Sequence, residues 1–198
     1  MLTKIRKNMY QGRVSVYRLP DGGDLNSWQF VSEQKNDLTD CWGVILQRLM
    51  RGVADGRSYH VNGMYIEFDN SGGAVTPPVI DPADQLEYFT GLTGSQDYLR
   101  VPVIATSEEK SDPGLLLPDT GIFLSHTAGT VGENGLAFSN AAGSRVYGGA
   151  LVAMTDETDP TKDIVFARWY FSEAGKQLEK LANGQIGIKW KSSFQPVA

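Results

Sequence analysis

Short runs of two-residue periodicity, each closed by turn-forming residues, constrain this chain more than any other feature. Val14 and Val16 alternate with Arg13, Ser15 and Tyr17, which is the pattern of a half-buried strand. Pro20-Asp21-Gly22-Gly23 supplies turn chemistry, and Trp28 to Val31 reads as the returning arm of a hairpin. The same grammar recurs at Met64–Phe68, Tyr98–Ala105, Ile122–Ser125, Val146–Met154, Ile164–Phe171 and around Ile186, Ile188 and Trp190. Glycine supports the reading, with 22 of 198 residues against a usual share of about 7%. About eight strands are expected, with no βαβ rhythm and no internal repeat.

One segment breaks the pattern. Leu38, Trp42, Ile45, Leu46, Leu49 and Val53 fall on one face at helical spacing. Asn36 or Asp37 suits the N-cap, Arg48 and Arg51 complement the C-terminal dipole, and Gly52 or Gly56 can end the element. The stripe predicts an amphipathic helix over about residues 37–51 with its Trp and Leu face on the core. Residues 83–91 and 174–181 suggest short helical turns. The expected fold is mainly β: a single-domain β-sandwich or jelly-roll-like barrel spanning residues 1–198, with that helix packed on it.

Charge is modest but uneven. The net value is −5, yet the first 20 residues hold Lys4, Arg6, Lys7, Arg13 and Arg18 and no acid. These cations read as a solvated basic first strand or, more sharply, as a basic arm over residues 1–11 suited to an acidic neighbour, or to DNA if the subunit lines a DNA channel. General nucleic-acid binding is not expected from an acidic chain whose 20 aromatic residues sit mostly among apolar neighbours.

Signatures of chemistry are sparse. One cysteine, Cys41, permits no intramolecular disulfide, and two distant histidines offer no metal-ligand spacing. No nucleophile elbow, metalloprotease helix, P-loop or dinucleotide fingerprint occurs. Ser125 and His126 are neighbours on a strand, so their side chains diverge; His126 suits a surface or interface. The acidic run 156–163 raises the question of calcium, but it lacks EF-hand spacing and fits a solvated hairpin. The expectation is a non-enzymatic protein without cofactors. No apolar run reaches membrane-spanning length, nor does a signal-peptide core follow the N-terminus, so synthesis and folding in the cytosol are expected.

Two connections, about 106–120 and 126–145, are longer than compact domains usually carry. The first contains Leu115, Leu116 and Leu117; the second is almost wholly small residues. Ordering such segments costs about 1–2 kcal/mol per residue in backbone entropy, which neighbouring subunits could offset. Lys4, Arg6, Lys7, Leu115, Leu116, Leu117 and His126 are therefore the candidate interface residues.

Several segments resemble small structural proteins of tailed-bacteriophage virions, about 200 residues long. They are Asn36–Asp40 with Leu46–Gly52, Met64–Asn70, Asp97–Val103, Ser144–Ala153 and Gln185–Lys191, spread over residues 36–194. The resemblance implies a virion component, made in the host bacterial cytoplasm, that has no catalytic residues. Expected partners are further copies of itself and other virion proteins, at the tail or head–tail junction as a collar, fibre-anchoring or tail part. Neither membrane nor nucleic acid is expected as a partner, contact with packaged DNA excepted. A capsid decoration protein is the alternative in the same class. A carbohydrate- or receptor-binding module is the alternative outside it.

Overall fold

The computed structural model describes residues 10–24, 26–39, 41–52, 60–76, 92, 94–103, 120–124, 128–141 and 143–194. The chain is mainly β, with 46% of it in strands and very little helix. In order, the elements are β1 (Tyr10–Leu19), β2 (Gln29–Leu38), α1 (Trp42–Arg51), β3 (Gly63–Asp69), β4 (Gln96–Pro102) and β5 (Thr120–Leu124). They continue with β6 (Arg145–Ala153), β7 (Ile164–Tyr170), β8 (Leu178–Glu179) and β9 (Gln185–Phe194). Short 3₁₀ turns at Pro160–Lys162 and Ala174–Lys176 flank β7.

All nine strands join one antiparallel sheet that curls into a half-barrel. The path runs β4-β3-β6-β7-β2-β1-β9-β5, and β8 adds to β6. The predicted first hairpin is β1–β2, and β1 also pairs along its full length with β9 near the other end of the chain. The seam between the halves is short: β2 meets β7 only at Asn36, Asp37 and Leu38. Thr39 prolongs it, donating its backbone N–H to the Phe166 carbonyl at 3.1 Å and its hydroxyl to the Val165 carbonyl.

The two halves differ in how their faces are covered. One face carries the main core, including Val14, Val16, Ile66, Phe68, Leu151, Trp169, Ile188 and Trp190. On β1 and β2 the opposite face is open, and burial alternates along β2: Gln34, Asn36 and Leu38 are buried, while Glu33, Lys35 and Asp37 are exposed. In the β4-β3-β6-β7 half both faces are buried. All seven residues of β3 are buried, and Tyr65, Tyr98, Ala150, Val152 and Val165 form a second cluster behind the sheet. Strands covered on both sides lose the inside–outside alternation. Gly148 belongs to this layer: a Cβ there would lie 2.6 Å from the Trp169 carbonyl oxygen and would run into the Tyr170 ring.

The helix needs two corrections. It begins at Trp42 rather than near residue 37, because Asn36–Leu38 are strand residues bound to β7. Cys41 takes the N-cap position without a side-chain bond to the helix's first amides, and no acid lies in the first turn. The C-terminus follows the reading: Arg48 and Arg51 occupy the last turn, and Gly52 ends it in the left-handed region at φ 57°. The helix lies against β7, but Leu46 and Leu49, expected to face the core, are exposed to 40% and 54%. Of the two expected helical turns, residues 83–91 lie outside the described residues. The second is the 3₁₀ turn at Ala174–Lys176 followed by β8.

Candidate functional site

Where charged and hydroxyl-bearing residues converge, they bind the chain to itself. Asp163 ends the loop between β6 and β7 and is fully buried. Arg100 of β4 grips it with two nitrogens, Nε to Oδ2 at 2.7 Å and Nη2 to Oδ1 at 2.8 Å. Arg100 also donates to the Glu157 carbonyl at 2.6 Å and to the Asp156 carbonyl. The Tyr65 hydroxyl of β3 donates to the same carboxylate. Such a bidentate, charge-assisted arrangement is among the stronger polar contacts a protein makes. Burial pushes the Asp163 carboxyl up, while Arg100 and Tyr65 favour its ionised form and oppose that shift. Tyr65 and Tyr98 are pushed above the ordinary phenol range, chiefly by burial. On the same face Glu67 lies 3.6 Å from Arg168, whose guanidinium sits over the Tyr170 ring at 5.3 Å.

The acidic hairpin supplies its own ligands. Asp156 accepts from the Thr158 and Asp159 amides at 3.0 and 3.1 Å and from Lys162 Nζ at 2.9 Å. Lys162, followed by Thr158, holds this carboxyl far below the usual carboxylate range. Asp159 caps the 3₁₀ turn by accepting from the Thr161 amide at 3.1 Å. Of the carboxylates that raised the calcium question, Asp156 and Asp159 thus face their own backbone and Lys162, and Asp163 faces Arg100 and Tyr65.

Asp97, at the start of β4, organises a second connection. Its buried carboxylate accepts from the amides of Tyr98, Asn134 and Leu136 at 2.8, 3.0 and 3.2 Å. Glu133 donates its amide to the Tyr98 carbonyl at 3.1 Å, so the loop covers part of the free edge of β4. Asn70 donates to the Ala137 carbonyl at 2.7 Å, and Phe138 packs on Phe68 with centroids 4.3 Å apart. Within 128–144 the described residues therefore dock on their own sheet. The sequence signal was slight: one acid beside an apolar strand and one buried-type aromatic in a run of small residues.

Lys4, Arg6, Lys7, Leu115, Leu116, Leu117 and His126 all lie outside the described residues. Phe30, Val131 and Leu181 are exposed singly; the grouped apolar surface among the described residues is on α1, where Leu46, Leu49 and Met50 share one face at positions i, i+3 and i+4. Met50 is 86% exposed. Arg48 and Arg51 flank the stripe. Among the described residues, no helix is long and apolar enough to cross a membrane, and no group of three or more His, Cys, Asp or Glu is placed to hold a metal ion. No family model, curated protein or solved structure matches the chain.

Proposed function

We propose that this chain is a non-enzymatic structural subunit of a tailed-phage virion, self-associating and joined to neighbouring virion proteins at the tail or head–tail junction. The observation that carries the reading is the apolar stripe of α1 on a molecule whose convergent polar groups serve its own fold. Apolar side chains grouped on an exposed helix face are favourable to cover. The Asp163 and Asp97 networks tie loops to the sheet against which that helix lies. The phage context rests on the resemblance across residues 36–194.

Light scattering on the purified protein, followed by imaging of intact particles, tests the proposal. A concentration-dependent oligomer is expected. Serine at Leu46, Leu49 and Met50 together should leave the circular dichroism and melting point unchanged while weakening association at least tenfold. A strictly monomeric protein that binds glycans on an array would replace this reading with the carbohydrate-binding one. A position on the shell would make it a decoration protein.

A further inference from the structure

The open face of β2, β1 and β9 carries charge in an order that self-stability does not explain. Lys35 of β2 stands opposite Arg13 of β1, and Arg13 stands opposite Lys191 of β9. Opposed residues share a face, and neighbouring strands lie about 4.8 Å apart, so three cations line up within about 10 Å. Directly opposed like charges destabilise a sheet. Two residues along, Lys189 follows Lys191 on the same face. Among the described residues of these three strands, the face holds these four cations against two acids, Glu33 and Asp37, in a chain of net charge −5.

Compensation within the Lys35–Arg13–Lys191 row is thin. Arg13 reaches Glu33 at 2.8 Å, but both side chains are largely exposed, and such pairs contribute little. Lys35 and Lys191 are exposed and make no ion pair with the described residues. At the other end of the strip, Tyr17 stands opposite Phe30, edge to face at 5.8 Å, and Phe30 is 61% exposed. From Arg13 to Tyr17 along β1 is about 13 Å, a span covered by a few nucleotides of an extended strand.

We propose that this face binds single-stranded nucleic acid. The Lys35–Arg13–Lys191 row and Lys189 would hold phosphates, and the Tyr17–Phe30 pair would offer a ring for an unpaired base. Cations in register beside an exposed aromatic pair on an open sheet are the elements of a stacking platform. An acidic protein surface would satisfy the cations but gives no role to the exposed Phe30. The inference is independent of the subunit's address in a particle.

Fluorescence anisotropy with the full chain, a short labelled single-stranded oligonucleotide and its duplex provides the test. The single strand should bind more tightly, with log K falling against log salt at a slope of about −2 to −3 for three to four phosphate contacts. Phe30→Ala should weaken single-strand binding about tenfold and leave duplex binding unchanged. Lys35→Glu and Lys191→Glu should each weaken it tenfold or more. Because each also places a carboxylate beside Arg13, the melting temperature should hold or rise, so lost binding would not reflect lost fold. No binding at low salt, no effect of either charge reversal, or equal competition by poly-glutamate would each overturn the proposal. The last result would make the face a docking site for an acidic protein.

Discussion

Removing either partner of the Arg100–Asp163 pair leaves the other charge buried without its counter-ion, which typically costs about 3–5 kcal/mol. Arg100→Met and Asp163→Asn should therefore lower the guanidinium unfolding midpoint sharply, whereas the apolar pair Arg100→Met with Asp163→Leu should recover part of the loss. Asp156 acts at the surface, and its sign follows from the direction of its shift. Its carboxyl is held down in the folded state by Lys162 and Thr158, so its contribution is present above the ordinary carboxylate value and fades as pH falls through the folded one. Asp156→Asn should be less stable than the parent at neutral pH, and the two should converge as the solution is acidified below about pH 4. At Gly148, the nearby Trp169 carbonyl belongs to a paired strand and cannot move aside cheaply. Gly148→Ala should cost about 1–3 kcal/mol of overpacking, read as a lower thermal midpoint.

At the scale of elements, α1 shows how the same residues satisfy two patterns. Leu38 fits the helical stripe with Trp42 and Ile45, yet it also ends the buried alternation Gln34, Asn36, Leu38 of β2. Two of those three inner positions are polar, so strand periodicity was hidden from the sequence. Backbone pairing with β7, 129 or more residues away, decides the matter. The C-terminal stop was local and therefore legible: Gly52 takes φ 57°, and its amide bonds back to Leu49 at 3.2 Å. Gly52→Ala should cost about 1 kcal/mol from the left-handed backbone. The loss would appear as a small drop in melting temperature, with the proposed association through Leu46, Leu49 and Met50 retained.

Over the whole molecule, a sheet covered on both faces in one half and on one face in the other has a titration signature. Tyr65, Tyr98 and Tyr147 lie behind β3, β4 and β6, and burial raises each above the ordinary value of about 10. A raised folded pKa means the contribution is intact below the unfolded value and is lost as pH rises toward the folded one. Stability should therefore decline above about pH 10. Of the eight tyrosines, these three should ionise only with unfolding, visible as a delayed step in the ultraviolet phenolate signal. A single smooth titration of all eight at ordinary pH would contradict the double-covered half-sheet.

By itself the sequence determined the β class, the placement of most strands and the tight turns, because strand periodicity, Gly-Pro punctuation and the Gly52 stop act within a few residues. It also located the helix to within a few residues at its end. Tertiary structure alone decided which face each element shows. The outward stripe of α1, the use of Asp97 and Asp163 as internal anchors, and the alignment of Lys35, Arg13 and Lys191 all depend on strand register between distant segments. Register is set by which faces are buried together, and no window of sequence contains both partners.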